Sequence, residues 1–227
     1  DELSLKWKEQ KPHVYFASLE YAMLVVGEIK SWYERDNYKE TRTFPKFYVD
    51  YDSPSRWQPT PPDYMDGIEP HWNKIRPFVL STSTQFQPEP PPPFSMEPRS
   101  DFYKELMEVY QVVKEIHEND LPDERREIAK FWDCNPYVST HKGHVMFALK
   151  KISPGAHWIG ITKIVARNLN ADIYTSMAAY TKVSIAIADA FISCWDEKYR
   201  SNLIRPETII NNVLDKNWYP VLQTPPF

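Results

Sequence analysis

Apolar positions recur at helical spacing along most of this chain and lose any period over one long stretch. Between residues 13 and 36, Tyr15, Leu19, Ala22, Val26, Ile29 and Tyr33 fall three or four apart, which predicts an amphipathic scaffold helix packing one face on a core. The same spacing predicts a helix from Asp101 to His117, with Ser100 or Asp101 as N-cap and Phe102, Leu106, Val109, Val113 and Ile116 inward. A third begins at Leu121-Pro122 and runs through Ile128 and Phe131-Trp132, a fourth covers about Gly143 to Ile152, and a fifth covers Trp158 to Asn168. The longest runs from Ala171 into Lys198, and a seventh opens at Pro206 and ends near Leu214. No convincing alternation marks a strand, so the expected class is all-α: one helical bundle over residues 1–227.

The exception is Pro45 to Pro98, which holds 13 of the 21 prolines together with nine aromatic residues. A disordered linker would not carry so many rings, so the expectation is an irregular belt whose Tyr, Trp and Phe side chains pack on the helices. A polyproline recognition segment at Pro90 to Pro93 is the competing reading.

A net charge of −4 gives no global basic field for nucleic acid, and no uninterrupted run of 18 apolar residues marks a membrane span. The chain begins at Asp1 rather than Met, which gives the expectation of a removed signal peptide and a place in the cell envelope or periplasm. Cys134 and Cys194 make no disulfide framework, and Cys194 beside Trp195 reads as a small buried hydrophobe. His141, His144 and His157 lack a carboxylate or cysteine at a familiar ligand spacing, so no metal site is expected. Asp189 interrupts an apolar run and must find a hydrogen-bond partner or face solvent, while Glu197 and Arg200 read as a solvated helix end.

Candidate chemistry concentrates in ADAFISCWDEKYRSNLIRP, residues 188–206. At 100° per residue, Ile173, Tyr180, Ile187, Phe191 and Lys198 share one stripe, so a lysine stands where the next core residue belongs. Arg205 lies seven residues on, about 10.5 Å along a continuing helix and closer if the chain turns at Ser201-Asn202. Pro206 suits a first helical position, placing Arg205 beside a helix N-terminus that also favours an anion. A small oxyanion held by both cations is one reading; salt bridges tying two helix ends are the other.

Lysine, six residues and then Arg-Pro resembles the first of three motifs in the superfamily of vanadium-dependent haloperoxidases and type 2 phosphatidic acid phosphatases, matched by Lys198, Arg205 and Pro206. Trp195 also matches the haloperoxidase branch, and the run from about Trp72 to Phe227, including TSTQFQPEPPPPF, IAKFWDCNP and WYPVLQTPPF, resembles bacterial members. The resemblance implies a helical bundle wrapped by the proline-rich segment, and a vanadate or phosphate site built from a lysine, two arginines, a serine, a glycine N–H and two histidines. It further implies oxyanion binding by Lys198 and Arg205, a pocket wall at Trp195, and an orienting role for Asp133 toward a basic group. In the family the ProProPhe segment runs on into a Ser-Gly-His motif and later an arginine and histidine four apart, whereas this sequence stops at Phe227. The expectation is therefore the N-terminal part of a haloperoxidase-like or acid phosphatase-like enzyme, inactive by itself. Its cofactor would be vanadate in the first case and none in the second, and the missing C-terminal segment or a second chain would be its partner. A non-catalytic helical module that binds a partner is the alternative.

Overall fold

A computed structural model describes residues 2–119, 122–135, 138–142, 145–149 and 151–227, with the side chains of residues 3 and 139–149 outside the description. Helix α1 (Glu2–Gln10) packs on α2 (Pro12–Tyr33), and the short α3 (Tyr38–Thr41) leads into the belt. The belt is irregular apart from a 3-10 turn at Trp72–Lys74. Next come α4 (Asp101–Glu118), α5 (Glu124–Trp132), strands β1 (Val138–Lys142) and β2 (Val145–Leu149), α6 (Pro154–Asn168) and α7 (Ile173–Ser201). Finally α8 (Pro206–Ile209) continues directly into a π-helical turn, Ile210–Leu214.

Helix starts follow the local chemistry. The hydroxyl of Ser100 accepts from the Tyr103 amide, Ser153 caps α6 and Asp172 caps α7, each satisfying an amide that lacks a partner within the helix. The core lies where α4 meets the end of the chain: Phe102 and Leu106 pack with Ile204, Ile209, Ile210 and Trp218, and Phe94 and Met96 of the belt close over them. Full burial of side chains of this size contributes roughly 1.5–3 kcal/mol each.

The class is helical, as the pattern predicts, with two departures. Where a fourth helix is expected from about Gly143, which lies outside the described residues, β1 and β2 pair as antiparallel strands, Val138 facing Leu149 and Lys142 facing Val145. The apolar run from Val145 to Leu149 is too short for periodicity to separate strand from helix. Helix α2 is the second departure: none of its residues is buried, and Tyr21, Met23, Leu24 and Val26 are each more than 60% exposed. Its apolar residues lie on several faces rather than one stripe, and none of those faces is laid on the core.

Among the described residues α7 alone is long and apolar enough to cross a membrane, by length and composition only. Lys182 and Asp189 interrupt its apolar sequence. Two of its charges, Asp189 and Asp196, are buried on the face that meets the belt.

Candidate oxyanion site

The turn after α7 brings the two predicted cations together. Asn202 adopts a left-handed conformation, φ 44°, and its amide donates to the Lys198 carbonyl, ending the helix at Ser201. The chain then doubles back along the belt, with the Trp57 amide donating to Asn202 at 3.1 Å and the Ile204 amide to Ser55 at 3.0 Å. Arg205 follows as the N-cap of α8 with Pro206 at its first position.

The Lys198 ammonium sits 4.2 Å from the Trp195 ring centroid and 5.4 Å from that of Phe227, and the Arg205 guanidinium carbon is 5.7 Å from the same Phe227 centroid. Distances to one shared centroid bound the separation of the two charges at about 11 Å, and the two cations lie close enough for Arg205 to repel the Lys198 ammonium. Rings at this range attract cations through their quadrupoles and also keep water away. Among the described residues neither cation makes a salt bridge. Glu197, the acid beside Lys198, is engaged by Arg200 and by the Ser201 hydroxyl. Burial, and then repulsion from Arg205, pulls the Lys198 ammonium down to about 8. Burial also lowers Arg205, opposed by the charge of Glu207, a buried acid in the first turn of α8.

Belt and chain end form the rest of the wall. Phe227 is buried, stacks on the fully buried Trp57 at 4.6 Å and meets the Tyr199 ring edge-on at 4.9 Å. The Tyr199 hydroxyl lies 2.6 Å from the Ile68 carbonyl oxygen and 3.2 Å from that of Phe227, and burial raises its pKa well above the ordinary tyrosine value. Gly67 makes this approach possible, since a Cβ there would stand 2.8 Å from the Tyr199 hydroxyl. The Trp195 indole N–H donates to the Ile68 carbonyl at 3.1 Å, and its ring faces Trp72 at 4.8 Å.

Lys198, Arg205 and Trp195 are thus brought together as the spacing predicts. Asp133 is not joined to them by any contact among the described residues; its carboxylate pairs with Lys151 at the end of α5. The cysteine expectation is reversed in place, because Cys194 is exposed and Cys134 is buried, with its Sγ 2.9 Å from His157 Nδ1. Both thiols are free. His157 is occupied by that thiol, while the side chains of His141 and His144 lie outside the described residues; no metal-binding group of three donors occurs among those described. Sequence reasoning missed Phe227, Tyr199 and Glu207. Tyr199 and Trp195 stand four apart beside Lys198 and offered a signal, whereas Phe227 offered none because its contacts are tertiary.

The VCPO second helical-bundle domain family matches residues 178–226, which contain Lys198 and Arg205. No functionally curated protein matches the chain. Among solved structures it is similar to the first bacterial vanadium-dependent iodoperoxidase at 58% identity and a TM-score of 0.88, covering 100% of this chain and 52% of that one. The chain therefore spans about half the length of that relative. On motif, sequence and fold together, the chain is a vanadium haloperoxidase-like protein.

Proposed function

We propose that these 227 residues supply the cationic part of a vanadate or phosphate site in a haloperoxidase-like enzyme, with Lys198 and Arg205 as its oxyanion ligands and Trp195 as a wall. The observation that carries this reading is a pair of partly enclosed cations sharing one aromatic ring, neither bridged to a carboxylate among the described residues. Two cations enclosed without a bridging anion fit a multiply charged tetrahedral ligand. The planar fork of Arg205 suits two oxygens at once, and the Lys198 ammonium suits a third. Trp195 and Phe227 exclude water, which strengthens both contacts.

Vanadate, when bound, supplies the centre at which peroxide is activated for halide oxidation. Similarity to a bacterial iodoperoxidase favours that ligand, and iodide as the halide, for the protein that contains these residues. Phosphate is the ligand under the phosphatase reading, and the same clamp would hold it. Lys198 and Arg205 neutralise the charge of either anion and orient it; this sequence contains no Ser-Gly-His motif to provide the remaining ligands. The 227 residues alone should accordingly bind an oxyanion and show no turnover.

Calorimetric titration with vanadate and with inorganic phosphate tests the clamp. Lys198→Ala and Arg205→Ala should each weaken binding on the order of 10–100-fold, the loss of one charge-assisted contact. Affinity in both variants equal to that of the parent chain would refute it. Peroxide-dependent iodide oxidation by the unaided chain, abolished in Lys198→Ala, would show a site complete without the further motifs. The exposed apolar residues of α2 favour a second reading, a partner-binding module, which predicts association and no oxyanion binding at all.

A further inference from the structure

Two buried carboxylates of α7 face the belt rather than the cation site. Asp189 accepts from three consecutive amides, those of Phe78 at 2.6 Å, Val79 at 2.8 Å and Leu80 at 3.0 Å. Asp196, two turns on, accepts from the Asn73 side-chain amide at 2.9 Å and the Ser83 hydroxyl at 3.4 Å. Between these anchors the belt presents Trp72, whose ring meets Phe191 at 5.8 Å and Trp195 at 4.8 Å. The Trp72 indole N–H is buried without a partner among the described residues, so packing and the anchored neighbour Asn73 hold that ring. Trp195 is in turn fixed by Ile68 along its edge and touches Lys198.

We infer that the segment from Trp72 to Ser83 is a strap, buckled to α7 by Asp196 and Asp189, which presses Trp195 against Lys198 and sets how much water reaches that ammonium. Asn73, Asp189 and Asp196 are then positioning residues, acting on the cation through two packed indoles inclined at 38°. Their functional meaning rests on Lys198 belonging to the oxyanion site; the physical coupling does not. The charges that act on Lys198 directly are Arg205 and, on its own helix, Cys194. Asp189 lies nine residues away, about 13 Å along the helix axis, too far to touch the lysine.

The test reads the lysine without any ligand, so that it can fail separately from the oxyanion reading. In the 227-residue chain carrying 13C at lysine Cε, the Lys198 resonance is assigned by its loss in Lys198→Arg and titrated. Its midpoint near 8 should climb toward the ordinary lysine value in Asn73→Ala, by roughly tenfold in proton affinity or more. Asn73→Ala removes no charge, so the rise would report rehydration. Asp189→Asn should raise the midpoint too, although removing a negative charge would by itself lower it, if only slightly at that distance, and amide exchange at Val79 and Leu80 should quicken. If Asp189→Asn does not fold, Asn73→Ala decides alone. An unchanged midpoint in the folded variants, or a lysine that already titrates at its ordinary value in the unsubstituted chain, overturns the strap. Loss of phosphate binding with the midpoint behaving as stated would overturn only the oxyanion reading.

Discussion

Replacing Asp189 with alanine leaves three amides without an acceptor in one step. Oδ1 accepts from Phe78, and Oδ2 accepts from Val79 and Leu80. A hydrogen bond to a charged group contributes ~1.5–3 kcal/mol net. Phe78 and Val79 have exposed side chains, so water can serve part of the segment once it lifts. That relief brings the expected loss to ~3–5 kcal/mol for the three bonds together, below their simple sum. A chain of this size loses about 2–4 °C per kcal/mol, so the melting midpoint should fall by roughly 10 °C, read from helical circular dichroism. Asp189→Asn keeps one carbonyl acceptor and should lose about half as much. Asp66→Ala, which breaks only a surface pair with Lys46, serves as the control and should melt like the parent. A folded Asp189→Ala variant whose midpoint matches that control would refute the reasoning, because the three bonds would then contribute nothing net.

Three further outcomes follow from the same geometry. Lys198 titrates near 8 in the folded chain against 10.5 in a solvated lysine, so between those values the unfolded state binds more protons and stability rises with pH, while oxyanion affinity falls as pH passes about 8. Phosphate titrations at pH 7 and 9.5 check the second statement, and Lys198→Arg should flatten the dependence. Gly67→Ala should destabilise by ~1–3 kcal/mol, since the added methyl meets a Tyr199 ring held by two carbonyl contacts; urea unfolding measures it, and a neutral result would mean the belt shifts freely there. The exposed apolar residues of α2 should make the 227-residue chain self-associate or bind an apolar dye, and Met23→Lys with Val26→Lys should diminish both; a dye-free monomer in sedimentation would contradict this.

The sequence made the long helix, the lysine at its end, the Arg-Pro helix start and the belt legible, because each depends on local spacing or composition. The pairing of β1 with β2 was not, since five apolar residues in a row fit either period. The partner of Asp189 was equally hidden: a carboxylate in an apolar helix must be satisfied, but nothing local says that the amides of residues 78–80 will do it. The exposure of α2 contradicts the core-packing expectation because a period shows which face is apolar and is silent on what covers it.

The belt's anchors also bear on how the chain folds. Trp195 meets Ile68 across 127 positions, Tyr199 meets Ile68 across 131, and Asp189 meets Phe78 across 111. Closing a loop of that length costs only ~2 kcal/mol more than closing one of ten residues, but it is a cost met before any contact rewards it. Once the first anchor forms, each of the others closes a short loop and adds its bond nearly free of further ordering. Docking of the belt should therefore come late, after the local helices, and in a single cooperative step. The cation pair would acquire its aromatic surroundings only in that step, so a chain caught with its helices formed and its belt undocked would carry Lys198 and Arg205 as ordinary solvated charges.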